Sequence, residues 1–583
     1  MGGNTLIFLT WLVTAIGAYG LPATSSSILN VPVYHISIPI DHFNTSDHRT
    51  YKNRYYINDT YYKPGGPVFF FDYGEQGLSP KLASTLLKET GSELSAIQLA
   101  KKFNGVAIIW EHRYFGESLP FPLAFDNGTI TTPAQCALAK NCTHNPVGAP
   151  NSYRYLTIEQ ALEDAVYFAH RFTVPPQSKY ANQTVTPRTN PWIWIGGSYP
   201  GSRAAWIRIR NPETFYASWS SSAPVETRVD GGPYYNVILR SLPSNCRKDA
   251  IAAVQHADEI MAGKHGKEAF TKLQELVYTA TATGEKGLQA SYSQSKAYGL
   301  RRSEIGRLLI DRFTTSFQTV GPATTTDRVC RFIESYDPTA NPLNTSTSAM
   351  AVLSNPGKAN PPAKGIAATY NASVALDAYI YGYRCYQAAV QEELDPIKKY
   401  TNKTSTPTLN DKSADMASWI WLVNTEIGAL LGSNPTNNSN PLISRFYTYQ
   451  DHFKDNGDYF AFNANKVFTH ESDTSVGHKY GGWNMAPSNV MFTNGEFDPW
   501  RSFSVQSEEY DIGAPRRRLV QDIPACNKAP EDMNVFGLVY EGQAHGGDLL
   551  GSTRNASAPL ARGLKLFGAA LEQWLPCYHS TRD

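Results

Sequence analysis

The chain has 583 residues, with 52 Lys+Arg against 51 Asp+Glu and a formal net charge of +1. That length assures a sizeable core, and the balanced charge offers no global field for steering onto nucleic acid or an acidic membrane surface. Seven cysteines show neither C-x-x-C pairs nor interleaved histidines, which argues for disulfides rather than a zinc site and leaves at least one thiol over.

Residues 1–20 contain the apolar run 6–16 and end in Ala18-Tyr19-Gly20. This small-x-small ending predicts a secretory signal cleaved near Gly20, although a basic n-region is missing. The run is shorter than the roughly 20 residues a spanning helix needs, and no later segment reads as a membrane anchor. Ten Asn-x-Ser/Thr sequons, at Asn44, Asn58, Asn127, Asn141, Asn182, Asn344, Asn371, Asn402, Asn437 and Asn555, fit N-glycosylation on a secretory route, whether the destination is extracellular, vacuolar or lysosome-like. Cys136 and Cys142 are close enough in sequence to bridge one loop; the pairing of the other cysteines is open.

Residues 34–43 alternate apolar and polar, 54–57 are strand-like, and 67–72 form a continuous apolar run that ends in Tyr73-Gly74-Glu75-Gln76-Gly77. Helical spacing over 82–103 leads to a second buried strand at 106–110, a βαβ pattern that points to a parallel sheet. The stretch 156–172 opens with Thr157 and carries Gln160 three residues on, a capping box ahead of an apolar helical face. The next strands are expected at 192–195 and 216–225. From about 226 to 478 amphipathic segments (249–262, 267–282, 302–317) alternate with polar stretches, so a mostly helical insertion is expected, with exposed loops over 341–362 and 402–413. Strand signals resume at 489–493 and 535–540, and 560–574 closes as an amphipathic helix. The expected organisation is therefore a signal at 1–20, a sheet domain in two parts, 21–225 and 479–583, and an inserted helical lid at 226–478.

Chemistry concentrates after the strand Trp192-Ile193-Trp194-Ile195, in Gly196-Gly197-Ser198-Tyr199-Pro200-Gly201-Ser202. A serine that projects from the end of a sheet needs a sharp strand-to-helix turn, with small residues around it. Gly196 meets that demand; Pro200 replaces the usual glycine but suits the first turn of a helix. The backbone N–H of Tyr199 then faces a developing oxyanion. A second donor is expected in the loop containing Gly74 and Glu75, by its place after an early strand.

A serine nucleophile needs a base, and the base a carboxylate to hold its tautomer. Asp498 follows the strand at 489–493, with Glu496 as a competing carboxylate in the same loop, and His545 follows the strand at 535–540. The order Ser198, Asp498, His545, each after a strand, is that of an α/β-hydrolase. No metal or organic cofactor is implied.

Several blocks carry a resemblance: Asp41-His42-Phe43, Glu111-His112-Arg113-Tyr114-Phe115-Gly116-Glu117-Ser118, Leu156-Thr157 with Glu159-Gln160-Ala161-Leu162, GGSYPG at 196–201, Ser222-Ala223-Pro224-Val225, Asn494-Gly495 with Asp498-Pro499-Trp500, and Ala544-His545 with Asp548-Leu549. Together they resemble the prolyl carboxypeptidase and dipeptidyl peptidase II family of serine peptidases. The resemblance implies an α/β-hydrolase fold with a helical insertion over the active site and hydrolysis of peptide bonds, often after proline. It makes Ser198 the nucleophile, Asp498 the orienting acid and His545 the general base. Fungal prolyl endopeptidases of this family are also similar, so exopeptidase and endopeptidase action both stay open. Animal relatives have a second His directly after the catalytic one and an Arg closing that block, where this chain has Gly546 and Leu550. They also carry Met in the proline pocket where this chain has Ser202.

Trp500 offers a flat wall for a proline ring. Glu75 either meets a substrate's free amino end or only hydrogen-bonds its own loop, and His112 and Arg113 are expected to brace the elbow. The expected partners are peptide or protein substrates, and self-association into a homodimer is left open. Two other readings compete: a secreted esterase, because fold and triad do not specify the acyl substrate, and a non-catalytic glycoprotein scaffold for binding. Retention of all three triad residues favours an enzyme.

Overall fold

A computed structural model describes residues 31–121, 153–282, 299–310, 329–339, 362–401, 414–436, 440–458 and 468–578. The signal at 1–20, the Cys136/Cys142 pair and nearly all of the two expected loops lie outside the described residues.

The described residues contain eleven strands. They are β1 (Tyr34–Pro39), β2 (Thr50–Asn58), β3 (Val68–Asp72), β4 (Val106–Trp110), β5 (Trp192–Gly197), β6 (Ala217–Ser221), β7 (Arg228–Asp230), β8 (Gly428–Leu430), β9 (Val490–Gly495), β10 (Leu519–Val520) and β11 (Val535–Tyr540). Of these, β7, β8 and β10 are short and are not expected from the sequence. Nine of them form one sheet in the order β1-β2-β4-β3-β5-β6-β9-β11-β10, while β7 and β8 pair separately. The β1/β2 and β2/β4 pairs are antiparallel and every later pair is parallel.

The principal helices are α1 (Pro80–Leu87), α2 (Ser95–Phe103), α3 (Ile158–Ala169), α4 (Tyr199–Arg210), α5 (Tyr234–Ser241), α6 (Ser244–Met261), α7 (Gly266–Ala282), α8 (Ala372–Thr401), α9 (Ala414–Leu422) and α10 (Ala558–Trp574). Alternate strand side chains point to opposite faces, and both faces are covered. Phe70, Ile108 and Trp194 pack on one side with α3 and α4; Phe69, Ile109 and Ile195 pack on the other with α1, α2 and α10. Burial on both faces explains why these strands read as unbroken apolar runs. A third core is built from α5, α6, α7 and α8, with Phe503 from the loop after β9 buried in it. A mostly parallel sheet with helices on both faces and a serine directly after β5 is the α/β-hydrolase fold.

Three local expectations are corrected, and a fourth is seen only in part. The single helix over 82–103 is two, α1 and α2, because Gly91 turns the chain at φ +82° and Leu94 restarts it as the N-cap of α2. Only half of the capping box forms: Thr157 accepts from Gln160 N at 3.2 Å, but the Gln160 side chain leaves the helix for His42 N and Asp41. The strand at 216–225 ends at Ser221, where Ser222 turns at φ +48°. Of the helix over 302–317, residues 302–310 are helical and the rest lie outside the described residues.

Disulfides join Cys246 to Cys330 and Cys526 to Cys577, and among the described residues Cys385 is a buried free thiol. In the described residues, no helix is long and apolar enough to cross a membrane.

Candidate active site

At the end of β5 the backbone folds back so sharply that Ser198 sits at φ +65°, ψ −132°. A non-glycine residue there costs about 1–3 kcal/mol and persists only where its surroundings hold it. Ser198 N donates to Ser221 O at 2.9 Å, and Ser198 O accepts from Ser202 N at 3.0 Å. A Cβ at Gly196 would lie 2.4 Å from Pro200 O, and one at Gly201 would lie 2.5 Å from Ser221 O. The small residues needed by the turn are therefore 196 and 201, which leaves position 200 free to be proline in the first turn of α4.

Asp498 and His545 come from the loops after β9 and β11. Both carboxylate oxygens of Asp498 lie 2.9 Å from His545 Nδ1, and the Asp498 side chain is fully buried. Asp498 also accepts from Trp500 N at 2.9 Å, which fixes the carboxylate's plane. Glu496, the competing carboxylate, instead accepts from Gly542 N at 2.8 Å and closes the turn after β11. With Nδ1 directed at the carboxylate, the buried Nε2 of His545 carries no hydrogen bond and, with Ser198, borders two cavities. The histidine loop is tied to the sheet by Asp548, which accepts from Ser221 Oγ (2.5 Å), Thr493 Oγ1 (2.6 Å) and Tyr540 OH (2.9 Å). Gly546 N donates to Ser222 Oγ at 2.9 Å.

The block Glu111 to Ser118 sits beneath the elbow. His112 Nδ1 lies 2.6 Å from Arg113 O and Nε2 lies 3.1 Å from Tyr199 OH. A carbonyl only accepts, so Nδ1 carries the proton and Nε2 accepts from the tyrosine. Burial, and then Arg203, hold the His112 pKa well below its ordinary value, so the ring is neutral. Arg113 donates to both Asp164 oxygens at 2.6 Å and to the Tyr155 and Ile40 carbonyls. Arg203 of α4 reaches across to Asp72 at the end of β3, 2.7 Å away. These buried groups lock the elbow helix to its neighbouring strand ends.

The loop after β3 lies against the elbow. Gly74 has φ +80°, and a Cβ there would come 2.3 Å from Pro200 Cγ. Tyr73 N and Gly74 N are committed to Trp110 O and Asp72 Oδ1. Glu75 borders both cavities together with Ser198 and His545, and its Oε2 is buried without a hydrogen bond. Burial pushes the Glu75 carboxyl up to about 7.

The larger cavity, about 1130 Å³ counting its opening to solvent, contains Trp500, Ser202 and Glu226 and is roofed by Met416, Trp419 and Ile420 of α9. Trp500 meets Tyr234 edge-on at 4.9 Å, and Ser202 Oγ donates to Pro224 O at 2.9 Å. The second cavity, about 540 Å³, is bounded by Leu86, Leu94, Leu549 and Leu550. Among the described residues, neither lining contains a lysine or arginine.

Sequence reasoning missed how the roof is fixed. Asp415 of α9 accepts from Gly77 N and Gly116 N, each at 2.8 Å, and Ser418 Oγ donates to Tyr114 O at 2.9 Å. Glu426 accepts from Ile158 N at the start of α3, 2.7 Å away; burial pushes its carboxyl up to about 7. No local pattern announces these contacts, since they join positions hundreds of residues apart; acidic residues in an otherwise apolar stretch, Asp415 and Glu426, were the available signal.

The family profile described as Serine carboxypeptidase S28 matches residues 38–138 and 145–512. The chain is 26% identical over 476 residues to "Serine protease vicPb" of Bipolaris victoriae (strain FI3), covering 79% of this chain and 76% of that protein. It is 33% identical over 249 residues to "Probable extracellular serine carboxypeptidase" of Arthroderma benhamiae (strain ATCC MYA-4681 / CBS 112371), covering 41% of this chain and 30% of that protein. Among solved structures it is similar to the proline iminopeptidase of Mycobacterium smegmatis at 9% identity and a TM-score of 0.32, covering 94% of this chain and 100% of that one.

Proposed function

Since this chain belongs to the Serine carboxypeptidase S28 family and is thus a serine-type peptidase, we propose that it cleaves peptides through an acyl-enzyme on Ser198, releasing dipeptides from free amino termini with a preference for cleavage after proline. His545 Nε2 takes the Ser198 proton as Oγ attacks the scissile carbonyl, then passes it to the leaving amine; water repeats the sequence on the ester. Asp498 keeps the proton of neutral His545 on Nδ1 and stabilises the imidazolium that forms. The oxyanion is held by Tyr199 N–H and by a backbone N–H of the loop after β3, which contains Gly74 and Glu75.

The observation that carries the amino-terminal reading is the charge of the cavity linings. Glu75 and Glu226 stand in the larger cavity with no lysine or arginine in either described lining. A substrate's ammonium group finds a carboxylate there, whereas the terminal carboxylate that a carboxypeptidase must hold finds no cationic partner. Pairing with an ammonium draws the Glu75 carboxyl back to its ionised form. Trp500, Trp419 and Ile420 offer the apolar walls that suit a proline ring. The extracellular designation of the Arthroderma relative and exposed sequon residues Asn44, Asn371 and Asn555 support a secreted, glycosylated protein.

The test compares an X-Pro dipeptidyl amide with a free amine, its N-blocked form, and a longer peptide with internal proline. Cleavage confined to the free-amine substrate is expected, with a large loss in Glu75→Gln. Equal cleavage of the blocked form or of the internal site would replace this reading by endopeptidase action, and release of only the carboxy-terminal residue by carboxypeptidase action.

A further inference from the structure

The inserted segment carries a histidine pair that the peptidase chemistry does not use. His256 and Glu259 lie three residues apart on α6, so they share one face of that helix. His265, in the turn that leads to α7, folds back over them. One ligand atom from each of the three lies within 4.8 Å of the others. The two imidazole rings meet at 4.7 Å between centroids, and His265 Nε2 is 3.5 Å from Glu259 Oε2. None of the three lines either cavity beside Ser198.

We propose that His256, Glu259 and His265 form a binding site for a borderline divalent cation, zinc above all, that clips the turn between α6 and α7. Two imidazoles and one carboxylate match zinc, with water completing a tetrahedron. The 3.5 Å between His265 Nε2 and Glu259 Oε2 is close to the spacing of two ligands each about 2 Å from one tetrahedral ion. Lys264 Nζ holds the other carboxylate oxygen, Oε1, at 3.0 Å, so Oε2 is the one presented to the metal; a partner that orients a ligand in this way is a regular part of metal sites. The last turn of α6 contributes the negative end of the helix dipole. The support is firm: α6 is anchored by the Cys246–Cys330 disulfide, and the neighbouring Asp258 accepts from Arg445 N at 3.1 Å.

The experiment uses the full glycoprotein without a histidine tag. Zn²⁺ is titrated by calorimetry, and Co²⁺ is followed by its visible absorption, which reports low coordination number. The expected result is saturable one-to-one binding, tetrahedral cobalt absorption and a Zn²⁺-dependent rise in the unfolding midpoint. Affinity should fall at least tenfold in His265→Ala and in Glu259→Gln, and the rise in midpoint should vanish. Both positions are partly exposed, so the variants keep the fold, and unchanged hydrolysis by each variant without added metal checks this. Absence of saturable binding, or binding undiminished in both variants, would overturn the site.

Discussion

Removing the Asp415 carboxylate should loosen both the cavity roof and the loop beside the serine. Asp415 is half-buried and accepts Gly77 N–H and Gly116 N–H at 2.8 Å each. A fully buried N–H left without a partner costs about 1–3 kcal/mol; both glycines are half-buried, so Asp415→Ala costs the fold at most about 2–6 kcal/mol. Part of that is returned, because burial raises the Asp415 pKa and the variant no longer buries a charge. Asp415→Asn keeps one acceptor and turns an amide N–H₂ toward the other glycine, so about half of the loss remains, roughly 1–3 kcal/mol. If half of that reaches the transition state, kcat/KM falls roughly threefold to tenfold in Asp415→Asn and further in Asp415→Ala. Amide exchange at Gly77 and Gly116 should rise in step with the drop in unfolding midpoint. Wild-type kcat/KM, midpoint and exchange in both variants would refute the reasoning.

Three further outcomes follow from the geometry. The Glu426 carboxyl is raised from 4.5 to about 7 by burial, so its stabilising protonated form is fully present below pH 4.5 and lost as pH rises through 7; Glu426→Gln should raise the unfolding midpoint at pH 8 and leave it unchanged at pH 4.5, as pH-resolved thermal melts would reveal. His452 opposes this trend, because burial lowers its pKa to about 4 and its contribution, complete above pH 6.5, is lost as pH falls through 4. Gly74→Ala places a Cβ 2.3 Å from Pro200 Cγ at φ +80°, and should lower kcat at least tenfold with a reduced midpoint, measured by steady-state hydrolysis and calorimetry. Asp498→Asn should reduce kcat by about 10⁴ with little change in fold, because an amide favours the wrong imidazole tautomer.

The sheet was legible because strands buried on both faces leave unbroken apolar runs, as in Val68–Asp72 and Val106–Trp110. The elbow was legible because a sharp turn restricts side-chain size, and the structure moves that restriction only from position 200 to Gly201. Periodicity failed at Gly91, where helical spacing continues through a break. It also gave no warning that Gln160 would serve β1's exit rather than its own helix. The roof was the least legible part. Asp415 and Glu426 act on backbone N–H groups of distant loops, and a backbone donor leaves no mark on the sequence.

Reaction of the protein with a serine-directed fluorophosphonate, followed by intact mass and peptide mapping, tests the central claim most directly. The account predicts a single adduct on Ser198, formed in step with complete loss of peptide hydrolysis, absent in Ser198→Ala and slowed by orders of magnitude in Asp498→Asn. An adduct on another residue, or hydrolysis that survives Ser198→Ala, would contradict it.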